Sequence, residues 1–198
     1  MAEIDIFSPV KKYDVIYADP PWRYQDKKCN GACALHYDTM KIQDIKDLPV
    51  KELAAKDCVI FMWITYPMLK EGIELMEAWG FKYKTIGFQW IKLNKSGKGK
   101  FFGLGRWTRG NTEACFIGTR GKPSRKSNKV SQIIEEVIGP HSQKPEVVRD
   151  KIRELMGDDL NYIELFARQH SEGWDCWGNE VGKLDDGQLT LFEQAANS

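Results

Sequence analysis

The sequence has no run of about 18 apolar residues and no basic leader followed by an apolar stretch, which argues against a membrane-spanning helix and a secretory signal. A cytoplasmic protein is expected. Its five cysteines (Cys29, Cys33, Cys58, Cys115 and Cys176) are scattered and form no CxxC pair, so neither a disulfide framework nor a zinc site is expected and no metal is assigned. There is no internal repeat and no long polar tract, and 198 residues at 42% hydrophobic content are enough for one compact core. No GxGxxG stands near the start, which removes the usual dinucleotide fingerprint.

What is present is unevenly distributed. The formal net charge is only +1, yet residues 92 to 129 carry eleven Lys or Arg and one acid, Glu113, leaving about −9 for the remainder. The stretch KLNKSGKGKFFGLGRWTRG combines glycine, cations and aromatics, a composition suited to a phosphate backbone with bases to stack on. Lys98, Lys100, Arg106, Trp107, Arg109, Arg120, Arg125 and Lys126 are the candidate nucleic-acid contacts. The alternative is an ordinary solvated basic loop.

Short apolar runs rich in β-formers read as buried strands at Tyr13 to Asp19, Cys58 to Ile64, Thr85 to Leu93, Glu113 to Thr119 and Asn161 to Ala167. Leu69, Ile73 and Met76 fall at i, i+4, i+7 before Gly80, and Val148, Ile152 and Leu155 repeat the spacing between Pro145 and Gly157. Continuous apolar strands alternating with amphipathic helices predict an α/β fold with a mainly parallel sheet and helices on both faces. Ligands in such folds bind beyond the carboxyl ends of the strands. The connection from Arg23 to Met40, with Tyr24, His36 and Tyr37, has the length of a lid or binding loop.

Asp19-Pro20-Pro21-Trp22 has the form (D/N)PP(W/Y/F) at the end of the first strand. The exocyclic amine of adenine is a poor nucleophile because its lone pair is delocalised into the ring. Hydrogen bonds from both amine hydrogens, to the Asp19 carboxylate and the Pro20 carbonyl, favour a more tetrahedral nitrogen with its lone pair aimed at a methyl donor. Pro20 and Pro21 fix φ and contribute no donors. Trp22 offers an apolar surface for a base removed from its stack. A plain strand terminator is the competing reading, since Asp and double Pro are common turn residues.

With DPPW stand three further stretches: His141-Ser142-Gln143-Lys144-Pro145, Glu164-Leu165-Phe166-Ala167-Arg168-Gln169-His170, and Trp174 to Glu180 (WDCWGNE). Together they resemble the MT-A70 family, the adenine-N6 methyltransferases named for the catalytic subunit of the eukaryotic messenger-RNA methylase. The resemblance covers roughly residues 1 to 182 and implies a Rossmann-like methyltransferase fold in permuted motif order, with S-adenosylmethionine as methyl donor and S-adenosylhomocysteine as product. It implies donor contacts from Lys144, Phe166, Arg168, His170, Ser171, Asn179 and Glu180, with Tyr37 beside the methyl donor and Asp5 and Ile6 at its adenine ring. The spacing from Asp5 and Ile6 to DPPW is shorter here than in the family, and Ser171 and Glu180 stand where related proteins often have amides.

The chain resembles the short stand-alone forms of bacteria and phages. One methyltransferase domain over residues 1 to 182 is expected, acting as a monomer or homodimer, followed by an acidic tail over 183 to 198. That tail carries Gln188-Leu189-Thr190-Leu191-Phe192, similar to the QLxLF peptide by which bacterial replication proteins bind the sliding clamp. Leu189, Leu191 and Phe192 folding back on the protein's own surface is the alternative. The leading expectation is methylation of adenine in DNA. The same reaction on RNA, or a non-catalytic nucleic-acid-binding scaffold, are the other two.

Overall fold

The computed structural model describes residues 2–22, 40–105, 107–139 and 143–182. Seven strands form one sheet: β1 (Tyr13–Ala18), β2 (Ala54–Ile64), β3 (Lys82–Leu93), β4 (Thr112–Arg120), β5 (Ile133–Val137), β6 (Tyr162–Leu165) and β7 (Asp175–Trp177). The order across the sheet is β5-β3-β4-β2-β1-β6-β7. Pairings β1–β2, β1–β6, β6–β7 and β3–β5 are parallel, whereas β4 is antiparallel to both β2 and β3. β4 alone therefore runs against the rest, and its first residues lie level with the last residues of β1 and β2.

Alternation along the central strands separates two cores. Ile16, Ala18, Ile60, Met62 and Ile64 join the cluster that takes in the helices α1 (Ile42–Lys46), α2 (Val50–Leu53) and α3 (Leu69–Ala78). Val15, Tyr17, Val59, Phe61 and Trp63 face the other way, onto α4 (Val147–Met156). Helices thus cover both faces, as the alternating pattern predicts. α4 has no side-chain N-cap bond and gains its stability from burying Val148, Ile152 and Met156, each contributing about 1.5–3 kcal/mol. Gly80 (φ 84°) and Gly157 (φ 100°) stop α3 and α4 in conformations that a residue with a Cβ resists.

The sequence pattern misses β5 and β7. β5 is an edge strand, IIEEV, with only Ile134 buried, so it shows no apolar run. β7 has three residues and is completed by the N-terminal segment, where Ile4 N–H donates to the Cys176 carbonyl and Cys176 N–H to the Ala2 carbonyl, each at 3.0 Å. Asp175 ties this edge together by accepting from the Ala2 N–H (3.0 Å), the Tyr13 hydroxyl (2.9 Å) and Lys11 (2.7 Å). Among the described residues no helix is long and apolar enough to cross a membrane.

Candidate active site

β1 is central, flanked on both sides by parallel strands, and Asp19 follows its last residue. The two prolines turn the chain sharply. Trp22 N–H donates to the Pro20 carbonyl at 2.9 Å, and the Met40 N–H reaches the Pro21 carbonyl at 3.4 Å. A carbonyl oxygen has two lone pairs, so Pro20 can accept one bond more. Trp22 is only 7% exposed, and its indole N–H donates to the Trp63 carbonyl near the end of β2 at 3.2 Å. This side chain, expected from sequence to offer an apolar surface to a base, is built into the core and braces the strand end.

Lys144, 125 residues further along the chain, places its ammonium 2.8 Å from Asp19 Oδ2 and 5.7 Å from the centre of the Trp63 ring. It also faces Glu113 Oε2 at 3.4 Å, and Glu113 Oε1 pairs with Lys92 at 2.5 Å. Burial raises the Asp19 pKa above its ordinary value. Lys144 opposes that shift, and the neighbouring Glu113 charge adds to it. Burial works against the Lys144 ammonium, but Asp19 and Glu113 more than offset it and hold Lys144 above the usual lysine range. Glu113 is buried too, yet Lys144 and Lys92 bring its carboxyl below the ordinary glutamate value.

Below this cluster Trp63 Nε1–H donates to the Tyr17 hydroxyl at 2.6 Å, and Arg149 of α4 sits 5.7 Å from the Tyr17 ring. Arg149 grips Glu164 of β6 through two bonds of 2.7 and 2.8 Å. Glu164, which belongs to one of the recognised stretches, is thereby committed to holding α4 on the sheet.

The ends of β6 and β7 supply a second wall. Phe166 has a positive φ of 61°, a conformation costing a residue with a side chain about 1–3 kcal/mol. Its ring lies 5.4 Å from Trp177 and 6.5 Å from Trp79. Arg168 pairs with Glu180 at 3.0 Å. Gly178 packs against the backbone of Phe166 and Ala167, where a Cβ would fall 2.6 Å from the Ala167 carbonyl oxygen. Gln143 and Glu146 both contact Gln169, at 3.4 and 3.2 Å, joining the segment of Lys144 to that of Arg168. His170 and Asn179 are exposed and Ser171 half-buried on the same loops. Asp5 and the fully buried Ile6 follow directly on the segment paired with β7.

The expected residues therefore fall into three groups. Asp19 to Trp22, Lys144, Phe166, Arg168 and Glu180 lie at the carboxyl ends of β1, β6 and β7, with Asp5 and Ile6 beside β7. Lys98, Lys100, Trp107 and Arg109 belong to the connection between β3 and β4, which meets the sheet at this same end. Arg120 closes β4 at the opposite end, donating to the Lys51 carbonyl at 2.7 Å, and Lys126 N–H donates to the Leu155 carbonyl at the end of α4 at 2.8 Å. Arg120, Arg125 and Lys126 are thus separated from Asp19 by the length of the sheet, because β4 runs downward. Tyr37, Arg106, Cys29, Cys33 and Gln188 to Phe192 lie outside the described residues.

The sequence singles out neither Arg149 nor the part Lys92 plays beside Glu113, and Phe102 (75% exposed) and Leu104 (90%), within the basic aromatic stretch, join Trp107 (99%) on the β3–β4 connection. Glu113 was visible as the single acid in a basic stretch and the first residue of a predicted strand, not as a partner of Lys144.

A mainly parallel sheet with one reversed strand, helices on both faces and a polar cluster beyond the central strand defines an α/β methyltransferase. Residues 13–180 match the MT-A70 family model, and the chain belongs to that family of S-adenosylmethionine-dependent adenine-N6 methyltransferases. It is 36% identical over 193 residues to the type II methyltransferase M.MunI of a Mycoplasma species, covering 87% of this chain and 79% of that protein. It is 30% identical over 190 residues to a putative N(6)-adenosine-methyltransferase MT-A70-like protein of Medicago truncatula, covering 93% of this chain and 29% of the relative. Against the N(6)-adenine-specific methyltransferase METTL4 of Homo sapiens the identity is 29% over 207 residues, covering 93% and 41%. The chain thus spans most of the bacterial relative and less than half of the plant and human ones.

The donor set fits S-adenosylmethionine. Lys144 and Arg168 would supply cations for its carboxylate, Glu180 an acceptor for ribose hydroxyls and Phe166 an aromatic face, while the glycine at 178 keeps the β6 and β7 ends in contact.

Proposed function

We propose that this protein methylates the N6 amine of adenine in DNA, in the cytoplasm, as a site-specific enzyme. The observation that carries the reading is the Asp19 carboxylate at the end of the central strand, with Oδ2 held by Lys144 at 2.8 Å and Oδ1 accepting no hydrogen bond among the described residues. Lys144 donates to Oδ2, so Asp19 meets it as an acceptor, and Lys144 opposes the upward push of burial on the Asp19 carboxyl. Asp19 Oδ1 and the Pro20 carbonyl take the two amine hydrogens, turning the nitrogen lone pair toward the donor. S-adenosylmethionine supplies an electrophilic methyl group when bound and leaves as S-adenosylhomocysteine. Lys144, Phe166, Arg168, His170, Ser171, Asn179 and Glu180 are proposed to bind it, with Asp5 and Ile6 at its adenine. The methylated amine sheds its proton readily, so no strong base is required. DNA, rather than RNA, is favoured by the similarity in length and sequence to the Mycoplasma type II methyltransferase.

The test is methylation of matched DNA and RNA oligonucleotides by the purified chain, with the product nucleoside identified after digestion. N6-methyldeoxyadenosine is expected, with a loss of about 10²–10³ in kcat for Asp19→Ala while donor binding persists. A product found only in RNA, or an Asp19→Ala variant with full activity, overturns the reading. The segment Gln188 to Phe192 is proposed as a docking peptide for the replication clamp. Deleting 183–198 should abolish retention on immobilised clamp and spare methylation of a short duplex, and unchanged retention would reject it.

A further inference from the structure

The charges around Asp19 form a line. Lys92 on β3 meets Glu113 on β4 at 2.5 Å, Glu113 faces Lys144 at 3.4 Å, and Lys144 reaches Asp19 at 2.8 Å. Signs alternate along it, and the two ammoniums and two carboxylates cancel. The line is sheltered: the side chains of Glu113 and Lys144 are 18% and 13% exposed, and each cation lies against an indole, Lys92 at 5.0 Å from Trp90 and Lys144 at 5.7 Å from Trp63. Lys144 and Asp19 alone would already balance each other. Drawing a second pair out of water adds a desolvation cost that needs a return.

We propose that Glu113 is a positioning residue for methyl transfer, sharing the Lys144 ammonium with Asp19, at 3.4 Å against 2.8 Å, so that part of the Lys144 charge is offset by Glu113, with Lys92 neutralising Glu113 from behind. Asp19 then keeps enough negative charge to attract the adenine amine. With the Lys144 charge directed at Asp19 alone, Asp19 would be a weaker acceptor. The inference rests on the adenine-methylation reading for its catalytic consequence, but its electrostatic content is independent of any substrate.

Opposite effects from the two outer members of the line are the signature. The charged groups facing Asp19 are Lys144, Glu113 and, less strongly, Arg168. The Cys115 thiol, also near, is neutral because burial first and Asp19 second push it well above its ordinary range. Glu113 itself is faced by Lys144 and Lys92. In Glu113→Gln a negative neighbour is lost and Lys144 is left to Asp19 alone, so Asp19 becomes harder to protonate and the acid limb of kcat moves to lower pH. In Lys92→Met, Glu113 is left unneutralised and pulls harder on Lys144, so Asp19 is easier to protonate and the limb moves to higher pH.

The experiment measures kcat against pH on an adenine-containing duplex for the full chain and both variants. Alongside it, carboxyl-carbon NMR titrates Asp19, identified through Asp19→Asn. Expected are midpoint shifts of about half to one pH unit in opposite directions and a kcat for Glu113→Gln lower by about tenfold or more. If both variants leave the Asp19 midpoint and the acid limb where the native chain has them, the proposal is overturned, whatever happens to activity or melting temperature. Should Glu113→Gln fail to fold, the Lys92→Met titration decides alone, an upward shift supporting the proposal and an unmoved midpoint ending it. A native chain that methylates no adenine would remove the functional reading, while the NMR titration still decides whether Glu113 and Lys92 set the state of Asp19.

Discussion

Arg149 and Glu164 place a full ion pair beneath the site, buried on the α4 side of the sheet and fixed by two hydrogen bonds of 2.7 and 2.8 Å. Burial pushes the Glu164 carboxyl up and Arg149 pulls against it. Truncating one partner strands the other charge away from water, which costs about 3–5 kcal/mol, whereas replacing both with apolar residues of similar size is close to neutral. Arg149→Ala should therefore lower the urea midpoint sharply, and Arg149→Met combined with Glu164→Leu should recover most of the loss. A double variant as unstable as the single one would mean that the Arg149 contact with the Tyr17 ring, at 5.7 Å, carries the stability.

At the scale of elements, the β6 and β7 ends are held together by backbone contact at Gly178. A Cβ there would lie 2.7 Å from the Ala167 nitrogen and 2.9 Å from the Phe166 carbonyl carbon, atoms that cannot turn aside. Gly178→Ala should spread the strand ends, cost about 1–3 kcal/mol in stability and weaken donor binding about tenfold or more, read by thermal melting and calorimetry. Unchanged affinity would show that Arg168 and Glu180 hold their places without β7. How much of this could be read from sequence depends on how local the signal is. Asp19 was legible because DPPW stands directly after an apolar run, and α3 and α4 because each carries an apolar repeat before a glycine; the buried faces differ in detail, α3 turning Gly72, Leu75 and Met76 inward with Leu69 exposed, and α4 burying Met156 rather than Leu155. Lys144, Arg168 and Glu180 were legible only through family resemblance, since nothing in their own neighbourhoods brings them to Asp19. The Lys92–Glu113 pair was not legible at all. It depends on β4 running antiparallel, which sets Trp90 against Glu113 in the ladder and puts the first residues of β4 at the active end. For the same reason Arg120, Arg125 and Lys126, read as one basic stretch with Lys98 and Lys100, end up at the far side of the sheet.

Across the whole molecule, β1 is a seam. On one side β6 and β7 carry the proposed donor contacts, and on the other β4 and β3 carry the charge line and the basic connection with Phe102, Leu104 and Trp107 exposed. A base stacked on an aromatic side chain is worth about 1–3 kcal/mol, so Trp107→Ala should raise KM for DNA roughly five- to hundredfold and leave the donor Kd unchanged. Arg120→Ala and Lys126→Ala should move KM far less. Equal losses from both ends would mean that DNA wraps the sheet rather than docking at one edge.

Among the described residues the reversed strand makes the proposed polymer-facing part of this protein a single excursion of chain, leaving from the end of one strand and re-entering at the start of its neighbour, whereas the proposed donor contacts come from several distant segments. Recognition of a target could then change by replacing one continuous insert, provided that its two ends, bonded to the Lys92 backbone through Phe101 and Asn111, keep Lys92 beside Glu113.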